Sequence, residues 1–225
     1  MINKKLHKAY NEKIKGLKNS PEFADEVDGP ILMHCWEEEY NKSAYKILFV
    51  GQECNGWIGY MDDKIDTSID GYKEFALSKN GNRTIFWQYV NRINSALNPA
   101  QAEGKNFLWT NVSKFSTLDG KGLDWDTHVS TINNFNCLKE EINATKPDVV
   151  IFLSGPNYDG KINVQFNNEV KFEPFKERHI REISKLEHPD LPQQTYRIYH
   201  PNYLQRSKKS YLLDELIDHL KSKKI

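Results

Sequence analysis

The sequence has no net charge, no long apolar run and few cysteines, and each absence excludes a class of protein. Its 225 residues include 31 basic and 31 acidic side chains, so the strongly basic balance that alone marks a nucleic-acid-binding protein is missing, although a local basic patch remains allowed. No apolar run exceeds about six residues, which is too short to span a membrane. The first residues, MINKKLHKAYNEK, lack the apolar stretch of a signal peptide, and we therefore expect a cytoplasmic protein with no membrane partner.

Metal-binding and common catalytic motifs are sparse as well. Cys35, Cys54 and Cys137 are widely spaced and form no CxxC pair, so they predict neither a disulfide framework nor a zinc or iron–sulfur site. The sequence has no Walker loop, no GxGxxG and no GxSxG. A nucleophilic Cys54 stays open as an alternative, but a small packing residue is the commoner use of such a thiol. We expect no metal and no cofactor.

The most informative stretch is residues 46–57, KILFVGQECNGW. Its apolar run has no polar face, which is typical of a central parallel strand covered on both sides. Ligands of open α/β sheets bind just beyond the carboxyl ends of the strands. Glu53, two residues past this strand, is therefore a candidate site residue, and the alternative is a turn glutamate that solvates the loop or caps a helix.

The rest of the chain predicts an α/β protein. We expect a single domain over residues 1–225, with residues 1–40 as an N-terminal helical extension, and a three-layer α/β/α fold around a central, mainly parallel four-stranded sheet. The predicted strands are 46–51, 106–112, 147–154 and 195–200, with a hairpin expected in 160–173. The predicted helices are 2–18, 31–45, 70–78, 84–97, 127–143, 174–186 and 211–221.

Polar residues follow each of the four strands. Glu53, Asn111, Ser154 and His200 come at or just after a strand end, so a parallel sheet would gather them at one edge. A glutamate, an asparagine and a histidine without a metal cluster favour acid–base and electrostatic chemistry. The alternatives are a turn residue at Asn111 and a strand cap at His200.

Four short motifs at these strand ends carry a resemblance to a known family. GQEC at 51–54 resembles the first motif of the uracil-DNA glycosylase superfamily, which reads GQDP, GMNP, GINP or GEAP there, and HPNYL at 200–204 is similar to its second motif, HPSPL. TNV at 110–112 resembles the strand end of the pyrimidine pocket, and VVIFLSG at 149–155 resembles the strand that follows. The resemblance spans most of residues 45–210 and implies the glycosylase fold.

The resemblance implies roles for three polar side chains. Glu53 falls where the family has the residue that positions water and faces the oxocarbenium-like sugar. Asn111 matches the asparagine whose amide reads the base, and His200 matches the histidine that stabilises the departing base. Gly51, Gln52 and Asn55 belong to the substrate-binding loop; Asn55 replaces a bulky residue that in some relatives excludes thymine. The residues that would stack on the base are Trp57, Phe86 or Trp87.

The resemblance also implies contacts to DNA. Leu204 matches the wedge that fills the gap left by a flipped base, and the alternative is an ordinary core leucine. Ser154, Asn202, Arg206 and Lys208 are suited to phosphates, although Asn202 and Tyr203 replace the family's Ser-Pro, and the basic residues could also be only the solvated start of the last helix.

These residues together predict a monomeric DNA glycosylase of base excision repair. It would hydrolyse the N-glycosidic bond of uracil or a related damaged pyrimidine in DNA, without a cofactor. Two alternatives remain open: a non-catalytic nucleic-acid-binding module of the same fold, and an enzyme that acts on free nucleosides.

Overall fold

The main sheet has six strands in mixed orientation. We describe the protein from a computed structural model, which describes residues 1–17, 27–54, 65–77, 84–99, 104–118 and 122–223. The strands are β1 (Val27–Asp28), β2 (Ile47–Gly51), β3 (Leu108–Asn111), β4 (Ser116–Thr117), β5 (Val149–Phe152), β6 (Lys171–Pro174), β7 (Ile183–Glu187) and β8 (Gln194–Ile198). The main sheet has the order β3-β2-β5-β8-β7-β6, and β1 pairs with β4 separately.

The four predicted strands form the parallel part of this sheet. β2 pairs with β3 and β5, and β5 pairs with β8, all in parallel. Every residue of β2 and β5 is buried, as the continuous apolar runs predict for strands in the middle of a sheet. The α/β class is confirmed, whereas the sheet has six strands instead of the predicted four because an antiparallel hairpin extends it beyond β8.

The helices lie between these strands. They are α1 (Ile2–Leu17), α2 (Glu37–Asn41), α3 (Ile65–Leu77), α4 (Ile85–Leu97), α5 (Trp125–Asn134), α6 (Leu138–Thr145), α7 (Asp159–Gln165), α8 (Pro201–Arg206) and α9 (Tyr211–Ser222). α1 packs against α6 and also contacts α3 and α5, whereas α4 packs against α8 and α9. The stripe that predicted α1 is confirmed, since Leu6, Tyr10, Ile14 and Leu17 are all buried.

The structure confirms one of two predicted helices and divides the other. The α4 prediction is confirmed: the Thr84 hydroxyl accepts a hydrogen bond from the Trp87 backbone N–H, and Asn98-Pro99 follows the last turn. The predicted helix 127–143 is instead two helices, α5 and α6, because the chain leaves helical geometry at Phe135 and Cys137 and buries both side chains. Within the described residues, no helix is both long and apolar enough to cross a bilayer.

The region after β5 differs most from the prediction. Of the hairpin expected in 160–173, the first strand is wrong because residues 159–165 form α7, whereas the second strand is present as β6. The expected helix in 174–186 is also wrong, since β7 ends the hairpin that β6 begins. The reason is tertiary: β7 pairs with the edge of β8, and Ile183, Ser184 and Leu186 are buried there.

Candidate functional site

Gly51 and Asn111 are register partners at the carboxyl ends of β2 and β3. A Cβ atom on Gly51 would lie 2.4 Å from Asn111 Oδ1 and 3.4 Å from Phe86 Cζ. Only a glycine therefore lets the Asn111 amide and the Phe86 ring approach the end of β2 this closely. The structure brings together three residues that the sequence assigned to substrate binding.

Cys54 fixes the other end of the Asn111 amide. Asn111 Nδ2 donates to Cys54 Sγ at 3.7 Å, and the thiol donates to the Lys114 carbonyl at 3.6 Å. Burial raises the pKa of Cys54 to about 12. A buried thiol that stays protonated is a poor nucleophile, so the geometry argues against the Cys54 alternative and favours a positioning role.

His200 follows β8 directly and caps α8. Its Nδ1 accepts a hydrogen bond from the Asn202 backbone N–H at 3.3 Å. Burial, together with the nearby charge of Arg206, lowers the pKa of His200 to about 4. The imidazole is therefore neutral near pH 7, and because Nδ1 is an acceptor, the proton resides on Nε2.

Phe86 links His200 to the β2–β3 end of the site. The Phe86 and His200 rings are stacked, with centroids 5.8 Å apart and planes 26° apart. Because a Cβ on Gly51 would lie 3.4 Å from Phe86 Cζ, this one ring lies beside both the asparagine end and the histidine end of the site. Trp87, the other described stacking candidate, is buried edge-on against Trp109 and belongs to the core.

An open cavity of about 500 Å³ lies at the same edge of the sheet. Among the described residues its lining includes two arginines and no carboxylate; the lining residues are Gln52, Ser154, Gly155, Pro156, Asn157, Arg181, Tyr199, His200, Asn202, Tyr203 and Arg206. The predicted site residues Gln52, Ser154, His200, Asn202 and Arg206 thus share one cavity. Its positive charge suits an anionic ligand.

Ser154 is the buried polar group of this cavity. The residue is 1% exposed, and its Oγ has no hydrogen-bond partner among the described residues. The Gln52 side-chain amide holds the same turn, because its Nε2 donates to the Ser154 carbonyl at 2.7 Å. An unpaired buried hydroxyl is costly, so a bound ligand would relieve that cost.

Glu53 lies beside this cavity but does not line it. Its carboxylate accepts hydrogen bonds from the Leu123 backbone N–H at 2.9 Å and from the Tyr158 hydroxyl at 2.6 Å. Gly122, with a φ of +88°, allows the close approach, because a Cβ there would lie 2.5 Å from Glu53 Oε1. Burial lowers the pKa of Lys161, although the neighbouring Glu53 carboxylate opposes that shift. The carboxylate therefore ties the loop after β2 to the segment before α5.

The predicted wedge residue is a core residue instead. Leu204 is 0% exposed, because α8 turns this side chain inward while its neighbour Tyr203 is 40% exposed. A wedge has to reach the base stack, so the structure contradicts a DNA contact for Leu204. Lys208 is exposed but does not line the cavity. Asn55 and Trp57, also predicted as site residues, lie outside the described residues.

Several cavity residues were missed by sequence reasoning. Tyr199 and Tyr203 flank the histidine motif, and their aromatic character next to HP was a usable signal. Arg181 lies in a turn and Asn157 in a short 3-10 helix, and neither belongs to a motif. Only the tertiary structure brings their side chains together, where Arg181 Nη2 donates to Asn157 Oδ1 at 3.2 Å. Tyr158, which binds Glu53, carried no signal either.

A scan against protein-family models and a search of curated proteins returned no match to this chain. Within the described part of the chain, no three His, Cys, Asp or Glu side chains are grouped so that they could hold a metal ion.

Proposed function

We propose that this protein is an N-glycosylase that hydrolyses the bond between uracil, or a related damaged pyrimidine, and deoxyribose in DNA. The neutral His200 on the wall of a positively charged cavity carries the proposal. Its Nδ1 is occupied by the Asn202 N–H, so its Nε2–H is a fixed hydrogen-bond donor. Such a donor stabilises the negative charge that a departing pyrimidine gathers on its O2.

Other residues of the site support base binding. Asn111 does not line the cavity, but its Oδ1 and the Nδ2 hydrogen that is not donated to Cys54 would be an acceptor and a donor for the polar edge of a pyrimidine. Phe86 presents an aromatic ring next to both Asn111 and His200. An aromatic ring next to a polar reader is the arrangement by which an unstacked base is commonly held.

Glu53 would position the attacking water. A carboxylate has about four acceptor sites, and Tyr158 and Leu123 occupy two of them. The remaining lone pairs can accept hydrogen bonds from a water molecule or face the positive charge of the sugar. In the hydrolysis, the water oxygen bonds to C1′ of the sugar, the C1′–N1 bond breaks, and its electron pair leaves with the base. The water gives up one proton to the Glu53 carboxylate, and the base anion takes up a proton from solvent.

We also infer that the fold is the three-layer arrangement expected from the resemblance. The contacts of α1 with α6 and of α4 with α8 and α9 support two separate helix layers. The four parallel strands, in the order β3-β2-β5-β8, would form the middle layer between these two helix layers.

The glycosylase proposal is tested by release of free uracil from single- and double-stranded oligonucleotides. We expect wild type to release uracil and His200→Asn to lose about 100- to 1,000-fold in kcat, as when one donor to a developing anion is removed. His188→Asn is a matched control, because His188 Nδ1 also accepts from the N–H two residues on, at 3.0 Å, but His188 does not line the cavity. Its activity should stay at the wild-type level.

A folded wild-type protein that releases no uracil from either oligonucleotide would reject the proposal. Equal losses in the two histidine variants would reject the specific role of His200. Thermal unfolding of both variants shows whether each is folded at the assay temperature.

A second function is favoured by the position of Glu53. Both of its carboxylate oxygens accept hydrogen bonds from the protein, and the residue does not line the cavity. This arrangement suits a non-catalytic nucleic-acid-binding module in which Glu53 only holds a loop. Glu53→Gln separates the two: a glycosylase loses uracil release, whereas a binding module releases no base and binds oligonucleotides equally well with either residue.

A further inference from the structure

Two tyrosines form one wall of the cavity. The rings of Tyr199 and Tyr203 lie 4.4 Å apart, with 36° between their planes. Tyr203 is 40% exposed, and among the exposed large hydrophobic side chains of the described residues it is the one that lines the cavity. An exposed aromatic ring at a cavity wall offers a surface on which a nucleic-acid base can stack, whatever its sequence.

The charges around this tyrosine pair suit a phosphate backbone. Arg181 and Arg206 line the same cavity, and within the described ranges neither has a carboxylate at ion-pair distance. Arg206 Nε donates to the Asn202 carbonyl at 3.3 Å, which leaves its terminal N–H groups for a ligand. Lys209, by contrast, is neutralised by Glu182 at 2.7 Å. The wall therefore combines an aromatic stacking surface with the positive charge of two arginines.

The burial of Leu204 favours single-stranded over duplex DNA as the ligand of the cavity. Taking a base out of a duplex costs a few kcal/mol of pairing and stacking, and proteins that do so commonly insert an apolar side chain into the gap. Leu204 is 0% exposed and cannot do this without unpacking the core, and the Tyr203 ring lies against Tyr199 along the wall. A single strand presents unpaired bases and carries no such cost.

We propose that this site takes single-stranded DNA, with a base stacked on Tyr203 and the flanking phosphates bound by Arg181 and Arg206. The inference rests on the proposed function, because it takes the cavity ligand to be a nucleic acid. It goes further than that function in two ways. It names single-stranded DNA as the ligand, and it assigns contact with the bases to Tyr199 and Tyr203, where the motif resemblance had implied Leu204.

The test measures binding of uracil-free DNA by fluorescence anisotropy at fixed salt. We expect a labelled single strand to bind about tenfold or more tightly than the duplex of the same sequence, because only the duplex must lose pairing and stacking. Tyr203→Ala should weaken single-strand binding by about 5- to 100-fold, and Tyr203→Phe should keep it, since the ring is what stacks. Arg206→Gln should reduce the salt dependence of binding.

Tyr211→Ala is the matched control. Tyr211 is 44% exposed, with the Arg178 guanidinium 5.3 Å from its ring, and it does not line the cavity. Its replacement should leave single-strand binding unchanged. A melting temperature within the wild-type range shows that each variant is folded.

The inference is overturned if the duplex binds as tightly as the single strand, or if a folded Tyr203→Ala binds like wild type. Its failure is distinguishable from that of the glycosylase proposal, because uracil-free DNA contains no uracil to release. Single-strand binding without uracil release rejects the glycosylase alone. Uracil release with equal binding of both strand forms rejects this inference alone.

Discussion

The contact between Gly51 and Asn111 shows how one missing side chain shapes the candidate site. Any Cβ at position 51 would overlap the Asn111 amide oxygen, whose partner nitrogen is already held by Cys54. The amide cannot retreat easily, because Asn111 is 5% exposed and its backbone pairs in the sheet. The glycine and the cysteine thus fix one polar side chain from two sides.

Gly51→Ala tests this arrangement. We expect a loss of about 1–3 kcal/mol in the free energy of unfolding, the usual cost of overpacking a core, together with loss of uracil release. Urea unfolding measures the first effect. Gly160→Ala is the control, because its nearest neighbour is the movable side chain of Trp125, at 3.2 Å and half exposed, so little change is expected. Equal destabilisation in both variants would contradict the argument.

At single residues, the sequence predicted strand position better than side-chain orientation. Gly51 and Asn111 end parallel strands, and His200 follows a third, as the apolar runs before them predicted. Leu204 was assigned to the wrong surface, since one turn of a short helix places adjacent residues on opposite sides and sequence spacing does not say which side packs. Tyr158 could not be predicted because its contact to Glu53 spans 105 positions.

At the scale of elements, a buried ion pair fastens the end of β3 to the helices beneath it. Lys114, just after β3, pairs with Glu141 of α6, and their side chains are 3% and 0% exposed. Glu141 also accepts hydrogen bonds from the Tyr10 hydroxyl of α1 at 3.0 Å and from the Thr110 hydroxyl at 3.1 Å. The segment that carries Asn111 is therefore attached to two helices through one carboxylate.

Removing one charge of this pair should lower the free energy of unfolding more than removing both. Lys114→Met leaves the Glu141 carboxylate buried and unpaired, and we expect a loss of about 3–5 kcal/mol in the free energy of unfolding. The double variant Lys114→Met, Glu141→Leu should recover a large part of that loss, since no buried charge remains. Urea unfolding of the two single variants and the double variant measures the difference. A double variant that is no more stable than Lys114→Met would contradict this reading of the pair.

The helices with an apolar stripe were predicted from the sequence more accurately than the strands at the sheet edge. α1, α4 and α9 were predicted because each has an apolar stripe at helical spacing that the folded protein buries. β7 was missed, and the wrong partner was expected for β6, because the stability of both strands comes from pairing at the sheet edge. The burial of β7 alternates only loosely, so its pattern did not distinguish a strand from a short helix.

At the scale of the whole molecule, buried neutral histidines link stability to pH. His128 is 0% exposed, its Nδ1 lies 2.7 Å from the Ser113 hydroxyl, and burial and the nearby Lys161 charge lower its pKa to about 4. The unfolded chain has an ordinary imidazole, so between pH 6.5 and 4 it binds more protons than the folded chain. Stability should therefore fall as the pH is lowered through this range and stop falling, for this group, below about pH 4.

We expect His128 alone to account for about 3 kcal/mol of that loss, at 1.36 kcal/mol for each pH unit. Urea unfolding at a series of pH values from 7 to 4 measures the slope. The matched variant is His128→Asn, which should be less stable at pH 7 but show a flatter dependence on pH. His7→Asn, on the surface of α1, should keep the wild-type slope. Parallel slopes in wild type and His128→Asn would contradict the assignment.

The sequence by itself determined the α/β class, the four parallel strands and the polar residues at their ends. Burial on both faces leaves an uninterrupted apolar run at β2 and β5, and polar residues follow where each strand ends. It also determined that Asn111 and His200 would lie at one edge of the sheet. The tertiary structure decided what no local pattern records: the hairpin beyond β8, the burial of Leu204, and the hydrogen bond from Tyr158 to Glu53. It also places Arg181 on the same cavity as Tyr199 and Tyr203. These features depend on contacts between segments far apart in the chain. The packing of the folded protein sets the strength of such contacts, and the neighbouring residues in the sequence do not.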